Sequence, residues 1–238
     1  MDVMITERQT KILNTIIQEY IDSAQPISSQ LLEKKYNFGI RPAMIRIEMQ
    51  KLTQKGFLYQ PHTSAGRVPT DKGYRFFVDN ILKSGIPEFK DIFEIEDIFQ
   101  EAKKDIFNLV SRLTKFLAEE SSSFAILNLL ERDLFWKEGW EGILREPEFE
   151  EKDFLFDFAK FLENFEKNIK NLKINSKIKI YIGRENPFEK AKKFSIISSK
   201  CYFSDIGEGI VSLLGPKRMS YDKNIGLINS LMKILEKY

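Results

Sequence analysis

The chain has 238 residues, 42% hydrophobic and 30% charged, a balance that suits one small and one larger folded domain and argues against dominant disorder. One cysteine, Cys201, and one histidine, His62, exclude an intrachain disulfide, a multi-cysteine zinc site and a catalytic centre built on several imidazoles. No apolar run reaches membrane-spanning length and the start, MDVMITERQ, lacks a signal pattern, so a cytoplasmic protein that is not an enzyme and carries no cofactor or metal is expected.

The net charge of +2 conceals a division along the chain. Residues 1–85 carry 12 Lys+Arg against 8 Asp+Glu, residues 86–171 carry 12 against 21, and residues 172–238 carry 13 against 6. A basic head followed by an acidic middle orients a molecule on a polyanion, head first. The basic tail reads either as lysines solvating a sheet face or as a second nucleic-acid contact.

Thr6, with Gln9 three residues on, has the spacing of a capping box and opens a first helix whose apolar stripe is Ile12, Leu13, Ile16, Ile17, Tyr20 and Ile21. Gln25 and Pro26 break it. Ser28 caps a short second helix through Tyr36 with Leu31 and Leu32 inward, and Asn37 to Gly39 make a turn. Pro42 stands in the first turn of a third helix that sends Ile45, Met49 and Leu52 inward. The opposite face collects Ala43, Ile47, Gln50 and Gln54, flanked by Met44, Arg46 and Lys51. Gly56 ends that helix. Phe57 to Gln60 and Arg67 to Pro69 then read as two strands around a tip of small and polar residues, and Thr70 caps a helix carrying Lys72, Tyr74 and Arg75. Helices followed by a wing, with arginines on the outward face of the third helix, predict a winged helix-turn-helix that binds double-stranded DNA.

Within that head, Arg46 is the leading candidate for guanine O6 and N7 or for a phosphate, the competing reading being a surface ion pair with Glu48. Arg41, at the start of the same helix, suits a phosphate. Ser28 and Ser29 suit a phosphate oxygen, a cap, or both. His62, Thr63, Ser64 and Arg67 surround a tip small enough to approach a backbone or minor groove, although His62 can equally bond within the wing. Lys72 and Arg75 are read as phosphate partners or as solvated cations. Ala43, Met44, Ile47, Gln50 and Lys51 complete the expected DNA-binding set.

SGIP, Ser84 to Pro87, reads as a linker. Beyond it Ile95, Phe99, Ala102, Ile106, Leu109, Leu113 and Phe116 recur at steps of four and three, the seam of one long helix that either pairs with a second copy or lies on a C-terminal sheet. The acidic run from Glu146 to Asp153 reads as a solvated loop rather than as paired catalytic carboxylates, because no nucleophile or phosphate loop accompanies it. Phe154, Phe158, Phe161, Phe165, Ile169 and Leu172 form a core-facing helical stripe. Lys177 to Gly183 alternates as a strand with one wet face, Ile210 to Leu214 suits a buried strand, and Ser220 caps a final helix with Ile225, Ile228, Leu231, Met232 and Leu235 inward. Trp136, Trp140 and the phenylalanines suit an aromatic core or line a ligand pocket.

Several runs resemble the heat-inducible transcription repressor family, HrcA: Thr6-Glu7-Arg8-Gln9, Glu19-Tyr20-Ile21, Ala43 to Met49, the wing phrase QPHTSAGR from Gln60 to Arg67, and PTDKGYR from Pro69 to Arg75. At the far end Tyr181-Ile182-Gly183, Glu185-Asn186-Pro187 and Gly215 to Tyr221 are similar to that family's C-terminal signatures, with a weaker echo at Glu146-Pro147-Glu148-Phe149. The resemblance implies an α+β chain with a winged helix-turn-helix over residues 1–83, a linker over 84–90 and a GAF-like regulatory and dimerising domain over 91–238. It further implies a homodimer that represses chaperone genes through an inverted-repeat operator, is released on stress, and has a chaperonin as a partner. The alternative is a ligand-sensing winged-helix regulator with a small-molecule site in the GAF-like domain. Three departures stand out. The chain is shorter than the family by most of an inserted dimerising segment, for which the seam from Ile95 to Phe116 is a candidate substitute. Arg41 stands where the family has a capping serine, and Ile47 where it has asparagine, so an amide able to bond adenine gives way to a side chain suited to a thymine methyl.

Overall fold

The computed structural model describes residues 5–102, 105–132, 134–174, 177–204 and 207–237. The chain divides into two compact units, Met1–Ser84 and Gly85–Tyr238.

The first unit runs α1 (Glu7–Ser23), α2 (Ser29–Lys35), α3 (Pro42–Gln54), β1 (Leu58–Tyr59), β2 (Val68–Pro69) and α4 (Asp71–Ser84). The capping box forms as its spacing dictates: Gln9 N–H donates to Thr6 Oγ1 and Thr6 N–H to Gln9 Oε1, each at 3.2 Å. Ser28 Oγ accepts from Leu31 N–H at 3.1 Å, while Arg41 holds the cap position of α3 without a side-chain bond. Ile12, Leu13, Ile16, Ile17, Leu32 and Leu52 are fully buried, each worth about 1.5–3 kcal/mol, and lock the three helices together. Both wing strands are shorter than their sequence pattern. In place of a longer ladder, the Gln60 amide donates to the carbonyls of Thr63 and Ala65, both at 2.9 Å, and together with the Ala65 N–H bond to His62 O at 2.9 Å closes the tip.

The second unit carries α5 (Ile92–Ala102), α6 (Ile106–Ser121), β3 (Phe124–Leu129), β4 (Leu134–Glu138), α7 (Trp140–Ile143), α8 (Lys152–Asn168), β5 (Lys179–Ile182), β6 (Phe194–Phe203), β7 (Gly207–Pro216) and α9 (Tyr221–Leu235). The strands make one antiparallel sheet in the order β4-β3-β7-β6-β5. Phe124, Ile126, Phe194, Ile196, Ile210 and Leu214 face the phenylalanine stripe of α8. Leu127, Ile197, Val211 and Leu213 alternate with them and are equally buried, on the side packed by α6 and α9. A sheet covered on both faces by helices gives the GAF-like α+β body.

Three expectations for this unit are corrected. The heptad-like seam is not one continuous helix: Asp105 caps α6, its Oδ1 accepting from Phe107 and Asn108 N–H at 3.1 and 3.2 Å, so α5 and α6 are separate elements. Ile95, Phe99, Ala102, Leu109, Leu113 and Phe116 are buried and Ile106 half-buried, α6 lying against β3 and β7, so among the described residues the seam serves the sheet, as the second of its two readings has it, rather than a second copy. The acidic run is not simply solvated, because Glu146 and Glu148 both bind Arg218, whose side chain is only 8% exposed. Ser220 occupies the cap position of α9 but its side chain accepts no capping bond. The segment after Ser84 lies against its own unit: the Phe89 ring meets Phe116 edge-on at 6.1 Å and its N–H donates to Ser230 Oγ at 3.4 Å.

Candidate nucleic-acid interface

The amphipathic pattern of α3 decides which side chains reach solvent. Ile45, Glu48, Met49 and Leu52 are buried; Arg41, Ala43, Met44, Arg46, Ile47, Gln50 and Lys51 are exposed. Two of these are large apolar residues left open to water, Met44 at 38% and Ile47 at 42% exposure, which burial in the core does not explain. Arg46 has no ion pair among the described residues; the Glu48 carboxylate expected as its surface partner points into the head instead.

Glu48 is the residue that sequence reasoning missed. It accepts from Gln9 Nε2 at 2.7 Å and from Lys51 Nζ at 3.1 Å, and Lys55 Nζ donates to Gln9 Oε1 at 3.0 Å. The Gln9 hydrogen bond, ahead of the Lys51 bond and charge, holds the Glu48 carboxyl below its ordinary value against the opposing cost of burial. This network ties α3 to the N-terminal turn of α1 and fixes the roll of its exposed face. Glutamate on the inward stripe of a helix was the available signal. A second buried carboxylate, Glu19, accepts from Lys35 and Tyr36, anchoring the end of α2 to α1; those bonds lower Glu19 and push Tyr36 up to about 12.

The remaining candidates divide. His62, Thr63 and Ser64 are exposed on the tip, with His62 Nδ1 and Ser64 Oγ 3.0 Å apart, so the intra-wing bond is made. Ser28 and Ser29 are half-buried at the start of α2, and the Ser28 hydroxyl is engaged in capping. Lys72 lies over the Phe57 ring at 4.4 Å and donates to Lys55 O at 2.8 Å, so it braces the base of the wing, while Arg75 pairs with Asp79 at 3.4 Å one turn further along α4. Arg67 is half-buried at the wing root: its backbone makes an isolated bridge with Ile27, and its Nε donates to Thr53 Oγ1 on α3 at 3.1 Å.

A three-helix head with a wing, an exposed basic and apolar face on its third helix, and a separate GAF-like body together define a winged-helix transcription regulator. Residues 75–225 match the family described as HrcA protein C terminal domain. The chain is 26% identical to the heat-inducible transcription repressor HrcA of Thermodesulfovibrio yellowstonii and 28% identical to that of Natranaerobius thermophilus, the alignments covering 98% and 97% of both partners. Over 124 residues, 52% of this chain, it is 40% identical to the HrcA repressor of Lysinibacillus sphaericus. A crystal structure of a hypothetical protein superimposes with a TM-score of 0.80 at 22% identity, covering 99% of this chain and 98% of the other, and shares the fold. The chain belongs to the HrcA family. The first of these alignments runs over 342 positions against a chain of 238 residues, so that relative carries residues with no counterpart here.

Proposed function

We propose that this chain is a DNA-binding repressor of heat-inducible genes that acts in the cytoplasm as a homodimer on an inverted-repeat operator. The observation that carries the reading is the exposed face of α3, where Arg46, without an ion pair among the described residues, stands with solvent-open Met44 and Ile47 on a helix locked from behind by Gln9 and Glu48. A guanidinium on such a face can fork onto a guanine edge or a phosphate, and the two apolar side chains fit thymine methyls. Family membership supplies the class of genes. One winged module with about six charge contacts binds weakly and loses affinity steeply with salt, so two copies on one face of the duplex, about 34 Å apart or a multiple of that, are needed for specificity. The α8 face of the body's sheet is filled by its own rings, with Phe158 meeting Phe124, Phe149 and Phe194 at 5.8, 5.2 and 5.2 Å, which favours a coupling role for the body over small-molecule sensing. A chaperonin is the protein partner that the family resemblance implies. Footprinting on DNA upstream of chaperone genes, combined with the light-scattering mass of the complex, tests the reading. A protected inverted repeat holding two chains is expected, and absence of any complex at low ionic strength overturns it.

A further inference from the structure

The wing phrase Ser64-Ala65-Gly66-Arg67 places its arginine far from where the sequence alone suggests. A Cβ added at Gly66 would lie 2.5 Å from both the carbonyl carbon and the oxygen of Ile27, so the returning strand passes the loop between α1 and α2 at a distance only glycine permits. That close approach sets up the paired backbone bonds between Ile27 and Arg67, at 2.9 and 2.8 Å, which fix the direction of the Arg67 side chain. It runs back to α3, and its Nε bond to Thr53 Oγ1 holds it there, while Thr53 itself donates to Met49 O at 2.9 Å. Arg67 therefore belongs to the third helix's surface as much as to the wing.

Arg46 and Thr53 are seven residues apart on α3, two helical turns, and share one face. The guanidinium held at Thr53 thus lies along the face that carries Arg46. The two charges act on one another: burial first, and then the Arg46 charge, depress the Arg67 guanidinium from its ordinary value. Neither arginine has an ion-pair partner among the described residues, and Glu48, the carboxylate of α3, is turned inward and bonded to Gln9 and Lys51. After its bond to Thr53, Arg67 retains four N–H donors, and Arg46 presents five. Two like charges on one helix face, with no counter-charge paired to either among the described residues, repel one another in the free protein, and an anion seated between them reverses the sign of that term. A phosphodiester, with two terminal oxygens sharing one negative charge, matches two planar guanidinium forks.

We infer that Arg46 and Arg67 together grip one backbone phosphate of the duplex, with Thr53 as the positioning residue, so that the wing-root arginine sets the depth and register of α3 in the major groove. The inference rests on the DNA-binding reading and assigns the ligand of one part of that site. It separates Arg67 from the exposed tip residues His62 to Ser64.

The test uses the full chain and two duplexes of equal length, one carrying the protected inverted repeat and one of unrelated sequence, titrated across a series of salt concentrations. Arg46→Ala and Arg67→Ala are each expected to weaken both duplexes by similar factors, on the order of tenfold per subunit contact, and to reduce the slope of log affinity against log salt by about one per subunit. Because one phosphate is shared, the double variant loses little more than either single one. Thr53→Val, which leaves every charge in place, weakens both duplexes by a smaller factor, and Arg67→Lys fails to restore wild-type affinity because the fork is gone. These two variants decide the matter if Arg67→Ala does not fold. A double variant whose slope falls by about two per subunit means separate phosphates and overturns the inference. So does a loss confined to the inverted repeat, or an Arg67→Ala protein that binds as wild type. If the wild-type chain binds neither duplex, the repressor reading falls and this assignment falls with it; if wild type binds and only the variants depart from expectation, the assignment falls alone.

Discussion

Glu48 shows how much one residue of this head does. A carboxylate among Ile45, Met49 and Leu52 is tolerated because the Gln9 amide and the Lys51 ammonium satisfy it, and the same bonds make it pH-sensitive. Its folded pKa lies below the ordinary 4.5, so the stabilisation is present above that value and is lost as the pH falls through the lower folded one. Glu48→Gln is expected to cost about 1–3 kcal/mol at neutral pH and to flatten the acid limb of the stability curve, read by urea unfolding between about pH 5 and pH 2. Wild-type pH dependence in the variant removes Glu48 from the network. Gly66 is decisive for a different reason: with Ile27 backbone atoms 2.5 Å from the site of a Cβ, Gly66→Ala must displace the wing or the loop before α2. A loss of about 1–3 kcal/mol in urea unfolding, with weakened DNA binding, is expected; unchanged stability means that the strand has room to move.

At the scale of elements, the sequence patterns in the body serve packing. The stripe from Phe154 to Leu172 is buried along its length and fills one face of the sheet, and Phe158 touches Phe124, Trp140, Phe149, Phe161 and Phe194. Phe158→Ala is expected to cost about 3–5 kcal/mol in the body's denaturation transition, and a change below 1 kcal/mol contradicts the packing described. The family's C-terminal signatures act as scaffolding. The Asn186 amide lies within hydrogen-bond distance of the carbonyls of Gly183, Ala191 and Phe194, at 2.9, 3.2 and 2.8 Å, and Tyr221 donates to Lys217 O while meeting Ser195 Oγ at 2.7 Å. Arg218 joins Glu146 and Glu148 across a long sequence gap, binding Glu148 through two bonds of 2.9 Å. Breaking this half-buried ion cluster on one side leaves two neighbouring carboxylates, each 25% exposed, without their counter-charge, so Arg218→Ala is expected to cost about 1–3 kcal/mol by thermal or urea unfolding. Adding Glu146→Gln and Glu148→Gln should return much of that loss; if it does not, desolvated charge is not the cause.

At the scale of the whole molecule, the uneven charge along the chain matters most. The basic head and acidic middle favour approach to DNA by the head, and steering of this kind is an ionic-strength effect. The association rate with an operator duplex is therefore expected to fall several-fold between about 50 and 200 mM salt, measured by stopped-flow fluorescence; a salt-independent rate contradicts it. With Ile95, Phe99, Ala102, Leu109, Leu113 and Phe116 buried in the body, the proposed dimer is not built on that seam. Light scattering of the free chain and of its complex is expected to give two copies per inverted repeat, and one copy per duplex overturns the dimer.

The sequence by itself determined the local elements of the head: the capping box at Thr6, Pro42 at the start of α3, its inward residues Ile45, Met49 and Leu52, and the outward Arg46 and Ile47 all follow from spacing, propensity and helical period. It also determined the family, because the wing phrase and the C-terminal signatures are specific strings. Three strands of the body escaped it. β3 is buried on both faces and shows no alternation, β4 places Leu134, Phe135 and Trp136 in succession and so also lacks alternation, and β6 interrupts its apolar run with Ser195, Ser198 and Ser199, whose burial depends on neighbouring strands. Only the tertiary structure decided that the heptad-like residues are interior, that Glu146 and Glu148 meet Arg218, and that Arg67 leaves the wing tip for α3. Each of those outcomes depends on groups distant in sequence meeting in space, and the free energy of such a meeting is written in no local pattern.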